Sequence, residues 1–280
     1  MLHRITRGGG GPVDSVRTDR AGRYTFRMGE ADSTALYVVS GWFAGIAYFS
    51  EPVQLAGRPA AELAPLVVYD TTSRGPPVFV LQRVLTIARP KDNGTRDVLE
   101  IVRLHNPGAA TLVSADTLRP VWTGALPHEA IQWQVGESDV SAQTVVRRGD
   151  TVAVLAPLAP GEAGKQISYG YVLPADVTTF YVPVDQPTGE LDFLIEDTAA
   201  VVTAPALQRL GVDSIEGRWF ARYRTGPLAA GVVVSIDLPE GRFRPQRLLP
   251  VVVALVAVVL GAGLVFALRR KPTVVSSTAA

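Results

Sequence analysis

The chain of 280 residues contains no cysteine. Disulfides, thiolate metal sites and cysteine nucleophiles are excluded, so the compartment has to be inferred from topology and not from redox chemistry. Histidine is limited to His3, His105 and His128, which rules out a histidine-rich metal triad and offers no obvious Ser–His pairing. Only Lys91, Lys165 and Lys271 are lysine, alongside abundant Ala, Val, Gly and Pro, a usage that points to a GC-rich bacterial genome. Neither sign of charge dominates, with 27 Lys plus Arg against 26 Asp plus Glu, and the basic residues are scattered except near the C-terminus. No nucleic-acid footprint follows from such a pattern.

One stretch has no charged, amide or hydroxyl side chain at all: residues 248–268, LLPVVVALVAVVLGAGLVFAL. As a helix it rises about 31 Å, which matches the roughly 30 Å hydrocarbon core of a bilayer. A single transmembrane helix is expected there, preceded by a juxtamembrane segment at 240–247 and followed by a short basic tail at 269–280. The span is apolar all round and flanked by Arg247 before it and Arg269, Arg270 and Lys271 after it, unlike the core helix of a soluble domain. Pro250 falls in the first turn, where its missing N–H costs nothing. Ala254, Ala257 and Gly261 share a face; small residues allow close helix approach, but they are also common in membrane helices generally.

Flanking charge does not decide orientation, because Arg242, Arg244 and Arg247 balance Arg269, Arg270 and Lys271. MLHRITRGGGGPVDS lacks the apolar core of a signal peptide. Either the chain is tail-anchored and faces the cytoplasm, or its natural start lies upstream. The basic residues directly against the end of the span resemble a stop-transfer signal, and the expectation is a bacterial inner-membrane protein with its modules in the periplasm.

Upstream of the span, short apolar runs alternate with turn residues, which predicts strands. Strands are expected at 23–28, 35–40, 46–49, 66–70, 78–86, 97–105, 130–135, 144–147, 151–155, 166–173, 180–184, 191–196, 219–224 and 232–238. Residues 204–210 read as a short helical turn. The stretch 71–77, TTSRGPP, has the composition of a linker. The fold class is therefore all-β: two β-sandwich modules, at 1–70 and 78–239, followed by one C-terminal transmembrane helix.

The run 16–26, VRTDRAGRYTF, resembles the strand-turn-strand signature of carboxypeptidase regulatory-like modules, which have a transthyretin-like or carbohydrate-binding-like fold. Thr18, Asp19, Gly22, Tyr24 and Phe26 carry the match. Asp19 is expected to bond back to the turn, Gly22 to take a positive φ, and Tyr24 and Phe26 to share one face. The resemblance covers about residues 11 to 70 and implies a binding or spacer role in an exported setting. The family's opening strands would precede Gly11, and MLHRITRGGG is not expected to supply them, so the module is expected to be N-terminally incomplete.

No catalytic, cofactor or metal site emerges. GEAGKQ at 161–166 lacks the spacing and the Ser or Thr of a phosphate loop and reads as a turn into a strand. His105 and His128 read as turn histidines. Within the acidic cluster Asp185, Glu190, Asp192, Glu196 and Asp197, Asp192 and Glu196 alternate with apolar Leu191, Phe193 and Ile195, the pattern of a solvated strand face. Asn93-Gly94-Thr95 reads as a turn. The aromatics offer the best binding hypothesis: Trp42, Phe43, Tyr48 and Phe49 in the first module, and Trp122, Trp133, Tyr169, Tyr171, Trp219 and Tyr223 in the second. Buried, they are the cores; exposed, they are a platform for sugars or a partner. The core reading is expected for most of them. Two functions follow: a non-enzymatic, membrane-anchored envelope protein that binds a partner protein or a polysaccharide, or an accessory subunit of a membrane-bound enzyme or transport complex. Membrane lipid is the partner of the helix, nucleic acid is not a partner, and no cofactor is expected.

Overall fold

Alternating apolar and polar residues, broken by Gly and Pro turns, fold into strands throughout the described part of the chain. The computed structural model describes residues 1–239 except 30, 57–59, 117 and 162–163. The expected membrane span, its flanking Arg247, Arg269, Arg270 and Lys271, and the segments 240–247 and 269–280 lie outside the described residues. Among those described, no helix is long and apolar enough to cross a membrane.

The first five strands are β1 (Leu2–Thr6), β2 (Gly9–Asp14), β3 (Leu36–Phe43), β4 (Ile46–Phe49) and β5 (Val53–Gln54). They form one antiparallel sheet in the order β2-β1-β3-β4, with β5 pairing β3 beyond the end of β4. The stretch before Gly11 forms β1 and the start of β2, β1 pairing both β2 and β3. Leu2, Ala35, Tyr37, Val39 and Leu55 make a small core, against which Tyr24, Phe26 and Met28 pack. Residues 23–28 do this as an irregular segment and not as the expected strand. The turn before them forms as expected. Asp19 Oδ1 accepts from the backbone N–H of Ala21 and Arg23 at 2.8 and 2.9 Å, and Gly22 has φ +78°. Tyr24, Phe26 and Met28 thus cover the sheet without forming a second ladder.

β6 (Thr71–Thr72) follows, then β7 (Phe79–Ile87), β8 (Arg96–His105), β9 (Thr111–Leu112), β10 (Trp122–Ala125), β11 (Ile131–Val135), β12 (Val145–Arg148), β13 (Thr151–Val154) and β14 (Lys165–Leu173). The remaining strands are β15 (Thr179–Val184), β16 (Thr188–Ile195), β17 (Val201–Thr203), β18 (Gln208–Ile215), β19 (Arg218–Thr225) and β20 (Val232–Asp237). The stretch expected as a helical turn, 204–210, is instead a tight turn with Ala206 at φ +50° leading into β18. Its helix-like spacing of apolar residues is overridden by pairing with β19.

A seven-stranded sheet, β11-β14-β8-β7-β16-β19-β18, dominates the second module. Its buried side shares one large core with two three-stranded sheets, β15-β20-β17 and β10-β13-β12, in a β-sandwich-like arrangement. The parity of each strand explains the core: Leu85 and Ile87, Val98 and Val102, Ile167 and Leu173, and Leu191, Phe193 and Ile195 all point inward. The two cores stay separate, although Met1–Pro239 form one compact unit.

Charged residues also occupy inward positions among these apolar ones, Arg96 at the start of β8 and a pair at the centre of the sheet. Glu100, fully buried, lies between Val98 and Val102 on β8, and Arg83 precedes Leu85 on β7. Arg83 Nε donates to Glu100 Oε2 at 2.8 Å, while Tyr169 and Tyr171 donate to the same carboxylate at 3.0 and 2.7 Å. Arg83 Nη1 also donates to the Pro183 carbonyl on β15 at 2.8 Å, tying the large sheet to the small one. Burial pulls the guanidinium's proton affinity down, but the attraction of Glu100 outweighs this and raises it. Burial first, then the charge of Glu100, pushes both tyrosines well above their ordinary value and keeps their hydroxyls as donors.

Removing one partner of such a pair strands the other in the core. Glu100→Ala is expected to lower stability by about 3 to 5 kcal/mol, whereas Arg83→Met combined with Glu100→Gln loses clearly less. Urea unfolding of the single and double variants checks this; equal losses would contradict the pairing.

Candidate functional site

The site grows out of the β3–β4 hairpin, whose turn residues Ala44 and Gly45 have φ +48° and +80°, the mirror-image turn that suits the twist of two strands. Trp42 pairs Ala47 and Ser40 pairs Phe49, so these four side chains share one face. His3, opposite Val38 on β1, joins that face: its Nε2 lies 2.8 Å from Ser40 Oγ, and its ring centroid is 6.5 Å from that of Phe49. Trp42 is 70% exposed and Phe49 62% exposed. Rings this exposed belong to no core and are available for contact.

Tyr48 points the other way. Its hydroxyl donates to the Tyr69 carbonyl at 3.0 Å and lies 2.8 Å from the Thr111 hydroxyl of the second module. Just beyond, β6 and β9 pair in parallel, with Thr111 N–H donating to the Asp70 carbonyl at 2.7 Å and Val113 N–H to the Thr72 carbonyl at 2.9 Å. The stretch expected as a linker, 71–77, thus begins in a short ladder with β9.

Beside this joint lies an open groove of about 680 Å³. β4 and the following Ser50 and Glu51 form one wall, residues 62–67 another, and Asp139, Val140, Ser141, Pro157 and Lys165 of the second module the rest. Its charge is lopsided: Glu51, Glu62 and Asp139 face a lone Lys165 among the lining residues. Asp139 Oδ2 accepts from the Gln166 N–H at 2.9 Å.

The other aromatics divide. Trp122, Tyr169, Tyr171 and Tyr223 are buried, and Trp133 packs against the large core, as expected. Trp42, Phe43, Phe49 and Trp219 are exposed, against the core reading. The solvated-face reading of the acidic residues also fails where it was most specific. Asp192 is only 8% exposed and takes two hydrogen bonds from Arg224, at 2.6 and 3.1 Å, while Glu190 pairs the same arginine at 2.9 Å. Glu196 is buried and held by Arg218 and by the backbone N–H of Arg89. Asp185 accepts from the Ala125 N–H, and Asp197 pairs Arg96. Arginines of β19 and β8 pair Glu190, Asp192, Glu196 and Asp197, a cross-strand effect invisible in the β16 sequence alone.

His105 Nδ1 lies 2.9 Å from the Gly161 carbonyl, and His128 Nδ1 lies 2.9 Å from Asp150 Oδ2. Among the described residues no three His, Asp or Glu side chains are grouped to hold a metal ion. Gly164, at φ +69°, leads into β14, where a Cβ would come within 2.6 Å of the Leu104 carbonyl. Asn93 Oδ1 is engaged by Thr95 in a turn with Gly94 at φ +85°. Sequence reasoning missed the Arg83–Glu100 pair, although strand parity signals it, each charge falling on the apolar set of its own strand.

No known family profile matches the chain, and no curated protein does. Among solved structures, the M1 zinc metallopeptidase from Deinococcus radiodurans is similar over 57% of this chain and 42% of that one, at 12% identity and a TM-score of 0.37. A two-domain M1 zinc metallopeptidase mutant bound to L-arginine gives the same coverage and TM-score at 13% identity. The chain thus spans less than half the length of these enzymes, and no function is transferred from them.

The hydrogen bond from Arg218 is the main cause holding the Glu196 carboxyl below its ordinary value. A lowered carboxylate contributes stability above its unfolded pKa and loses it as the pH falls through the folded one. Glu196→Gln is expected to cost about 1 to 2 kcal/mol at neutral pH, after allowing for the half-exposed arginine, and to flatten the acid side of the melting curve. Thermal melts from neutral to acid pH check this; parallel curves for the two proteins would contradict it.

Proposed function

We propose that this chain is a non-enzymatic, membrane-anchored protein of the bacterial envelope, whose β-modules bind a partner protein or a polysaccharide at the groove beside the β3–β4 hairpin. The observation that carries this reading is the exposure of Trp42 and Phe49 on one face of a fixed hairpin at the groove's rim. Rings held in water on a rigid support lose little conformational freedom on binding, which is how aromatic anchors act at interfaces and on sugars. The apolar run 248–268 supplies the anchor and the tail 269–280 faces the cytoplasm, leaving the modules in the periplasm. The resemblance of residues 11 to 70 to carboxypeptidase regulatory-like modules supports a binding or spacer role in an exported protein.

A second observation favours the accessory-subunit alternative. Tyr181, Val233 and Val201 expose their side chains on the outer side of the β15-β20-β17 sheet, interspersed with Ser235 and Asp237, a mixed face of the kind that a partner subunit covers.

The test is retention of the full-length protein, in mild detergent, on immobilised envelope material from the producing cell, polysaccharide and protein fractions separately. Combining Trp42→Ala with Phe49→Ala is expected to weaken retention about tenfold or more, the effect of losing a hot spot. Unchanged retention would remove the groove from the account. A stoichiometric complex that survives purification and ignores both substitutions would favour the subunit reading.

A further inference from the structure

Strand β4 is the edge of its sheet, and its register fixes where its backbone groups point. Ser40 N–H donates to the Met1 carbonyl on the β1 side at 2.8 Å, and Ser50 N–H donates to the Val39 carbonyl at 2.8 Å. In an antiparallel ladder the direction alternates residue by residue, so Val39, Gly41 and Phe43 turn their backbone groups toward β4. Their partners Tyr48 and Ile46 answer them. Ala47 and Phe49 therefore direct N–H and C=O away from β3, toward the groove that every residue of β4 lines. No backbone hydrogen bond among the described residues reaches these groups. The facing wall at 62–67 is also unpaired among the described residues, its backbone bonding to no other described backbone group.

The chemistry of the groove selects what fits. Glu51 and Glu62 have no ionic partner among the described residues, and with Asp139 they outnumber Lys165 by three to one. Trp42 and Phe49 present exposed ring faces beside them, to which guanidinium and ammonium groups are attracted. Resting on the binding role proposed above, we propose that the free edge of β4 receives an extended, basic and apolar segment of a partner protein as an added strand. Ala47 and Phe49 hold its backbone; Glu51, Glu62 and Asp139 pair its cations. Side chains of an added strand alternate, so one set lies over Trp42 and Phe49 and the other turns toward the Tyr48 side.

The experiment uses the full-length protein in detergent and a short fluorescent peptide of alternating Lys and Val, read by anisotropy. Three comparison ligands are the Glu–Val analogue, the Lys–Val peptide N-methylated at every second residue, and a β-glucan oligosaccharide. The Lys–Val peptide is expected to bind with an affinity that falls with salt. The methylated and acidic peptides are expected to bind at least about tenfold more weakly, since one has lost the ladder on one side and the other its charge match. Ala47→Pro removes one outward N–H and leaves the β3 ladder its donors; it is expected to weaken binding by a similar factor. Glu51→Gln with Glu62→Gln is expected to weaken binding and reduce its salt dependence without touching the edge. Equal binding of the methylated peptide would overturn strand addition, and this comparison needs no altered protein. Lack of Lys–Val binding would overturn it also. If the oligosaccharide binds instead and Trp42→Ala abolishes that binding, strand addition fails while the proposed binding function stands. If the protein is retained on envelope material but binds none of the peptides, the same division holds.

Discussion

The hydroxyl of Tyr48 fixes the first module to the second. It meets a carbonyl of the connecting segment and a hydroxyl on the second module, and the short β6–β9 ladder begins immediately beyond. Among the described residues the two hydrophobic cores do not merge, and no apolar cluster on the scale of either core joins the modules. A few directional polar contacts do so instead, and direction is what a groove needs. Hydrophobic contact is indifferent to small rotations, whereas hydrogen bonds between buried partners are lost within a few tenths of an ångström or a few tens of degrees. Because the groove's walls come from both modules, its width follows from this joint.

The second module supplies the rigid side of that joint. Thr111, which meets Tyr48, lies on the strand whose neighbour Leu112 exchanges backbone hydrogen bonds with Leu158, at 3.0 and 2.9 Å, and both leucines belong to the large core. The same core contains the Arg83–Glu100 pair with its two tyrosines, satisfied by four hydrogen bonds among them and the Pro183 carbonyl. A buried ion pair of this kind contributes less to net stability than to uniqueness: a one-residue slip of β7 or β8 would move a charge to the wrong face and leave its partner alone. The register of the central strands, and with it the position of Thr111, is held against such slips.

Much of the strand pattern was legible in the sequence because alternation reports directly on half-buried strands. β4 appears at the residues that the alternation marks, and β7, β8, β14 and β20 fall within a residue or so of their expected bounds. Where alternation is weak, the reading failed. GGGPVD forms β2 because a hairpin partner is available, not because its residues favour strands, and the apolar spacing of 204–210 looked helical until β19 claimed part of it. Tyr24 and Phe26 face one way, as their spacing implies, yet they pack without a ladder. The site was half legible. The cluster of Trp42, Phe43, Tyr48 and Phe49 is visible in the sequence, but which rings are exposed depends on register with β1 and on contacts with Tyr69 and Thr111. Those contacts are long-range in sequence, as are the arginines that bury Asp192 and Glu196, and periodicity within one strand cannot report them.

If the joint at Tyr48 sets the groove, its two walls keep one separation. The absence of cysteine makes it directly measurable, since Glu51→Cys and Ser141→Cys introduce the sole thiols, one on each wall. Spin labels at these positions, read by pulsed dipolar spectroscopy in the full-length protein, are expected to give one narrow distance distribution that broadens when Tyr48→Phe removes the shared hydroxyl. A broad or multimodal distribution with Tyr48 intact would contradict the account, because the two walls would then move independently.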